Sequence, residues 1–299
     1  MVRPAPRFVP RRALGRTGFE ATRLGIGDLA DRQLSLETCV ATLRRALDAG
    51  LNVVDTAPSY EQGYSEEIVG AALRGRGDSV FLIDKIDHLD RPVGPQIDDS
   101  LRRLGLRSVD LFAFHDVSTP DAWARLLAAG GAWDELGECV RQGKARFRGL
   151  SSHHPEVLRS ALQGGGCDVV LFPVGPFCDR RYLEEILPMA RARGAGTVCF
   201  KAFGAGKLLG DTEGYGRPLP PAAGSALPRL PVEECVRYTL TADPDVALLG
   251  MSSPAEQDEA WAAAERFRPL SPREMDEVRS RAADAVRGKG GVWWNPAAS

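Results

Sequence analysis

The chain has 299 residues, 43% of them hydrophobic and 26% charged, with a formal net charge of −2 at pH 7. Such a composition excludes a disordered or collagen-like polymer and leaves room for one large domain with a sizeable core. With so small a net charge and no basic run, it also argues against a polyanionic partner such as nucleic acid. The opening residues, MVRPAPRFVPRR, are basic and Pro-rich with no apolar stretch behind them, so a secretory leader is not expected there. Residues 1–11 read as a tail. Segment 12–22, carrying Gly15 and Gly18, reads as a small hairpin capping a barrel bottom.

From residue 23 onward, short apolar runs alternate with helical patterns. Strands are predicted at 23–27, 52–55, 80–85, 109–115, 146–151, 168–172, 196–200 and 246–250. Between the first two, Leu36, Val40, Leu43 and Leu47 form one apolar stripe, and Gly50 can end that helix. Near the end, Ser253-Pro254 reads as a helix N-cap and first turn, and Ser271-Pro272-Arg273-Glu274 as a capping box. Continuous apolar strands separated by helices imply a parallel sheet covered on both faces, and eight such units close into a (β/α)8 TIM barrel of the α/β class. The expectation is a single barrel domain over 1–299 with an N-terminal hairpin cap and a C-terminal extra helix. Two polar stretches, 116–131 and the Gly- and Pro-rich 204–231, interrupt the alternation and read as binding loops. The six cysteines include no C-x-x-C pair and fit buried free thiols in a reducing, cytoplasmic compartment. No apolar run is long enough to span a bilayer.

Barrel chemistry sits where strands end at their C-terminal side. Three consecutive strands finish on ionisable residues: LNVVD at Asp55, VFLIDK at Lys85 and VDLFAFH at His115. Tyr60 follows Asp55 on the loop DTAPSY, which Pro58 stiffens. A phenol near an ammonium can donate a proton to a carbonyl oxygen, because the cation lowers a pKa that is otherwise about 10. Asp55 would anchor Lys85, and a neutral His115 would orient the carbonyl. Each residue also has a plainer use. Asp55 can cap a helix, Lys85 can pair with Asp84, Asp87 or Asp90, and Tyr60 and His115 can simply pack.

These motifs resemble those of the aldo-keto reductases. The resemblance is carried by LGRTGFEATRLGIG, DTAPSYEQGYSEEIVG, VDLFAFHD, GKARFRGLSSHHPEVLRSAL and PDVALLGMSSPAEQDEA, in order from about residue 14 to about residue 267. It implies an NAD(P)H-dependent reductase of an aldehyde or ketone, or a dehydrogenase running in reverse, with the tetrad Asp55, Tyr60, Lys85 and His115. It further implies that Ser151 and Ser152 hold the nicotinamide amide, that Phe200 stacks on its ring, and that Glu259 contacts adenine. Gly250, Ser252 and Ser253 would line the rest of the cofactor, with Lys201, Lys207 or Arg229 supplying phosphate charge. NADP(H) is the family's habit. NAD(H) stays open because Glu256 stands where a basic residue is usual; separately, Leu171 or Phe172 stands where the family commonly has a Gln that holds the amide. The expected partner is a small carbonyl or sugar-like molecule, and the expected assembly a monomer or small homo-oligomer. One alternative is a catalytically weak nicotinamide-binding subunit on the same barrel; another is a barrel isomerase or lyase.

Other signals weigh less. Gly25-Ile-Gly27-Asp28-Leu29-Ala30 fits a dinucleotide fingerprint, but the helix should start only near Ser35. Gly204-Ala-Gly206-Lys207 lacks the Ser or Thr of a phosphate loop. Asp84, Asp87, His88 and Asp90 read as a solvated loop or a metal site. His153 and His154 either cap a helix or face the cofactor, and Trp293-Trp294 either wall the pocket or pack on the barrel side.

Overall fold

The structure, a computed structural model, describes residues 11–76, 80–215, 217–219 and 227–296. The expected tail at 1–11 therefore lies, Arg11 aside, outside the described residues. Strands β1 (Arg12–Ala13) and β2 (Glu20–Ala21) pair as the antiparallel hairpin read from the sequence. Eight parallel strands then close a barrel. They are β3 (Leu24–Ile26), β4 (Val53–Asp55), β5 (Phe81–Ile86), β6 (Val109–Phe114), β7 (Ala145–Ser151), β8 (Val169–Pro173), β9 (Gly196–Phe200) and, after two short strands, β12 (Val246–Leu249), which bonds β9 and β3. Gly27, His115 and Gly250 fall just past their strands, and β5 runs one residue beyond Lys85.

Helices surround the barrel. Helix α1 (Leu36–Asp48) starts where Ser35 accepts from Thr38 N and buries Cys39, Val40, Leu43 and Leu47; caps of this kind contribute about 1 kcal/mol. This start leaves no helix N-terminus at the Gly25–Ala30 turn, so a dinucleotide fingerprint has no helix to point at a phosphate. Then come α2 (Tyr64–Leu73), α3 (Val93–Leu104), α4 (Pro120–Leu126), α5 (Ala132–Arg141), α6 (Pro155–Gly164), α7 (Leu187–Arg193), α8 (Val232–Ala242), α9 (Pro254–Glu265) and α10 (Pro272–Val286). The capping box of α10 is formed in full. Stretch 116–131, read as a polar loop, contains α4: Thr119 caps it and Trp123 and Leu126 are buried. Its polar composition hid two apolar anchors one turn apart. Stretch 204–231 carries a short ladder, β10 (Thr212–Gly214) with β11 (Arg217–Pro218).

Strand alternation decides which residues meet inside. Val53, Ile83, Leu111, Ala113, Leu171, Val198 and Leu248 form the inner core. Gly149, two residues before Ser151 on β7, shares this phase of the strand, and a Cβ there would lie 2.1 Å from Val169 O. Two residues further along each strand, side chains point inward again. Those positions are Asp55, Lys85, His115, Ser151, Pro173, Phe200 and Gly250, one ring of residues at the barrel's C-terminal mouth. Among the described residues no helix is long and apolar enough to cross a membrane.

Candidate active site

Lys85 and Asp55 are buried, at 3% and 5% exposure. The ammonium donates to Asp55 Oδ1 at 2.7 Å and to Thr56 O at 2.7 Å. Tyr60 is half-buried and lies over this pair, with Lys85 Nζ 4.7 Å from its ring centroid. His115 meets the Tyr60 ring edge-on at 5.6 Å. All four residues expected in the tetrad are thus brought together.

Two features of this cluster differ from the expectation. The Tyr60 phenol is held well above its usual range, not below it. Burial is the largest cause, followed by Asp55, Asp28, Tyr215 and Asp87. Lys85 lies over the ring and is paired with Asp55. The second difference is Asp87. Its Oδ1 bonds His115 Nδ1, while Ser59 donates to Asp87 through its backbone N–H at 2.7 Å and its hydroxyl at 3.2 Å. Burial pushes Asp87 up, but the bond to His115 and those to Ser59 outweigh it and hold the carboxyl below its usual range. The carboxylate therefore fixes the imidazole with Nε2 left free, and ties it to the Tyr60 loop. Asp87 was readable only as one acid in DHLD; Asp84, three residues earlier, is fully buried, and burial and Glu66 push its carboxyl well above the usual range.

The turn that carries Tyr60 is strained. Glu61 and Gln62 are left-handed at φ 47° and 55°, a conformation costing on the order of 1–3 kcal/mol each. The Arg32 guanidinium, donating to Glu61 O at 3.0 Å, helps to hold it. Asp116, Lys201, Ala205 and Tyr215, also left-handed, all follow barrel strands at the same end. Strain collects where the tetrad is.

On the far side of the mouth, Ser151 is buried at the end of β7. Ser152 points away: its hydroxyl donates to Val117 O at 2.8 Å and accepts from His154 N at 3.0 Å, so it shapes the loop. His153 meets Phe200 edge-on at 5.3 Å and bonds Asp116 Oδ1 through Nδ1 at 2.9 Å. Burial pushes the His153 imidazole below its usual range, against the opposing pull of Asp116. Its Nε2 is a buried acceptor with no hydrogen-bond partner among the described residues.

Asp116 is held down from 3.8 to about 2, first by the His153 bond. A depressed carboxyl stabilises the fold above the unfolded value and loses that contribution as pH falls. Asp116→Asn, which tolerates the left-handed backbone, should melt below the parent protein at pH 7. The gap should close as pH falls from about 4 to about 2, followed by thermal melts across that range. A pH-independent gap would mean the charge contributes nothing.

The remaining expected residues lie around β9 and β12. Lys201 follows Phe200, whereas Lys207 is buried on Lys289 O and Arg229 pairs with Asp211 at 3.0 Å. Ser253 caps α9. Ser252 N donates to Glu256 Oε2 at 2.7 Å, so a carboxylate occupies the end of β12. Gly250, Ser252 and Glu259 are exposed. Trp294 is fully buried, its indole N–H on Phe177 O at 2.8 Å, while Trp293 stays 42% exposed beside Tyr215. The two tryptophans split between side packing and wall. No group of three or more His, Cys, Asp or Glu able to hold a metal occurs among the described residues, the Asp84–Asp90 stretch included.

A model of the Aldo/keto reductase family matches residues 22–283. Aldo-keto reductase YhdN of Bacillus subtilis (strain 168) is 31% identical over 67% of this chain, but the match spans only 64% of that protein. The NADH-specific methylglyoxal reductase of Escherichia coli (strain K12) is 27% identical over 66% of this chain and 68% of its own. Among solved structures, the holo form of aldo-keto reductase AKR11C1 from Bacillus halodurans superposes with a TM-score of 0.69 at 25% identity, covering 93% of this chain and 98% of the other.

Proposed function

The chain belongs to the Aldo/keto reductase family, and on that premise we propose that it reduces a small aldehyde or ketone with a nicotinamide cofactor, Tyr60 being the proton donor. The observation that carries this reading is the phenol over the buried Lys85–Asp55 pair, with His115 against its edge. A reduced nicotinamide, when bound, would supply the hydride. Tyr60, kept protonated by its surroundings, gives its proton to the carbonyl oxygen. Lys85 then stabilises the phenolate left behind, a charge-assisted role that grows as the proton departs. His115, its Nδ1 held by Asp87, presents Nε2 to the same oxygen and orients it.

The residues present fit the nicotinamide group, because a buried imidazole acceptor without a partner among the described residues borders Phe200. Ser151, His153 and Phe200 would hold the nicotinamide, with Ser152 fixing their loop. Gly250, Ser252, Ser253 and Glu259 would line the remainder. Free, buried thiols at all six cysteines support a reducing, cytoplasmic setting. A single barrel domain, alone or in a small homo-oligomer, suffices for the chemistry.

Cofactor choice turns on Glu256. A carboxylate at the end of β12 repels a 2′-phosphate, so this chain should accept NADH, and NADPH less readily than its family habit suggests. Glu256→Gln should shift the ratio of dissociation constants toward NADPH by about fivefold, equivalent to roughly 1 kcal/mol for one exposed charge. Tryptophan fluorescence titrated with each cofactor measures the ratio, and absorbance at the nicotinamide band tests aldehyde-dependent oxidation. An unchanged ratio would remove Glu256 from cofactor choice; no aldehyde-dependent oxidation of either cofactor would sink the reductase reading.

A further inference from the structure

Of the five lysines, Lys85 and Lys144 face carboxylates, and Lys207 and Lys289 each donate to the other's backbone carbonyl. Lys201 differs. It stands at the mouth directly after Phe200, left-handed at φ 70°, its carbonyl accepting from Gly204 N at 2.9 Å. Its ammonium donates to Tyr215 Oη and makes no ion pair with any described residue. Four aromatic rings surround the charge: Tyr215 at 4.7 Å, Phe200 at 5.3 Å, Trp293 at 5.6 Å and Trp294 at 5.9 Å. Rings attract a cation but accept none of its ordinary hydrogen bonds, and an ammonium has three to give. We propose that Lys201, Tyr215 and Trp293 form a recognition site for a carboxylate or phosphate carried by the carbonyl substrate, whose flat or apolar body lies along Trp293.

The surrounding structure supports a built site. Trp294 anchors the C-terminal strap, the segment that carries both tryptophans, by its indole bond to Phe177 O, and its carbonyl accepts from Tyr182 Oη at 3.1 Å. Trp293 stands edge-on to Trp294 at 4.8 Å. It also approaches Gly214 so closely that a Cβ there would lie 2.9 Å from the indole. Tyr215 and Trp293 nevertheless keep 66% and 42% of their surface exposed, 5.6 Å apart and tilted by 40°. Large rings fixed in solvent beside an unpaired cation are a poor use of folding energy alone and a good surface for a ligand. The site adjoins the chemistry: Tyr215 is among the groups acting on the Tyr60 phenol, and Lys201 among those acting on His153. An anion held here would leave the rest of a short substrate reaching toward Tyr60. The cofactor's own phosphates are the competing source of negative charge, and the test separates the two.

This inference rests on the reductase reading, so the experiment carries one arm that needs no turnover. The probes are 4-carboxybenzaldehyde, its neutral methyl ester, and terephthalate as a non-reacting dianion. In the parent protein kcat/KM should favour the acid over the ester. Lys201→Met should lower the acid-to-ester ratio by about 10- to 100-fold, the range of a hydrogen-bonded charge pair. Terephthalate should quench tryptophan fluorescence in the parent protein, less so in Trp293→Phe, and bind at least tenfold more weakly to Lys201→Met. A ratio unchanged in Lys201→Met, with NADPH and NADH binding weakened instead, overturns the proposal and assigns Lys201 to the cofactor. If neither aldehyde reacts with the parent protein, the reductase reading fails; terephthalate binding lost in Lys201→Met then still upholds the anion site, and its absence from the parent overturns it.

Discussion

Tyr60→Phe should lower turnover of a generic aldehyde by roughly 100- to 10,000-fold, the usual contribution of a positioned acid, with cofactor affinity close to that of the parent. The substitution removes one oxygen and little else. A phenylalanine ring keeps the face that meets Lys85 Nζ at 4.7 Å and the edge that meets His115 at 5.6 Å. The strained turn behind it is held by Arg32 and by Asp87's bonds to Ser59, none of which involves the phenol. Stability should therefore change little, and a loss of turnover reports chemistry. Because burial and nearby carboxylates hold the phenol up, the proton is present throughout the neutral range, and reduction should not fade toward mildly alkaline pH for want of it. Steady-state kinetics beside fluorescence titration with the cofactor decide the matter. Parent-like turnover in this variant would eliminate the proposed donor, and lost cofactor binding would move Tyr60 from chemistry to cofactor holding. The same variant addresses the alternative of a weakly catalytic binding subunit, in which Tyr60 would not matter to any rate.

How much of this was legible in the sequence differs from residue to residue. Asp55, Lys85 and His115 could be found because an apolar run that ends on a charge marks both the strand and its open end, and strand alternation then fixes the inward direction. Tyr60 was legible by its closeness to Asp55. Asp87 was not, since three acids within seven residues look alike until a strand end separates the buried Asp84 from the one that meets His115. The direction of the Tyr60 shift is not legible for a related reason. Spacing places a cation near a phenol, but only coordinates show that Asp55 answers that cation and that burial dominates. Helix α4 escaped notice because seven residues carry too few turns for periodicity to show. The Lys201 cage joins residues 200, 201, 215, 293 and 294, and no local pattern links a strap at the chain's end to a loop some ninety residues earlier. Contacts set by the barrel's strands can be read from alternation; contacts between loops depend on how each loop folds back.

Lys85→Met tests whether the pair beneath Tyr60 serves stability, chemistry or both. The side chains of Lys85 and Asp55 are 2% and 6% exposed and 2.7 Å apart. Removing the ammonium alone leaves a carboxylate in a site that water barely reaches, at a cost of about 3–5 kcal/mol. For a domain of this size that corresponds to a melting temperature lower by on the order of 10 °C, and turnover should fall with it. The double variant Lys85→Met with Asp55→Leu removes both charges and fills the space with apolar atoms. Buried pairs replaced in this way are often no less stable than the originals, so the double variant should recover most of the lost melting temperature. Turnover should not recover, because the phenolate formed at Tyr60 would still lack its cation. Thermal melts and kinetics on the parent, single and double variants therefore give a crossed pattern, with stability returning and activity staying lost. A single variant that melts and turns over like the parent would show that the pair does neither job. A double variant that regains activity along with stability would confine the pair to holding β4 and β5 together, and the stabiliser of the phenolate would have to be sought elsewhere in the mouth.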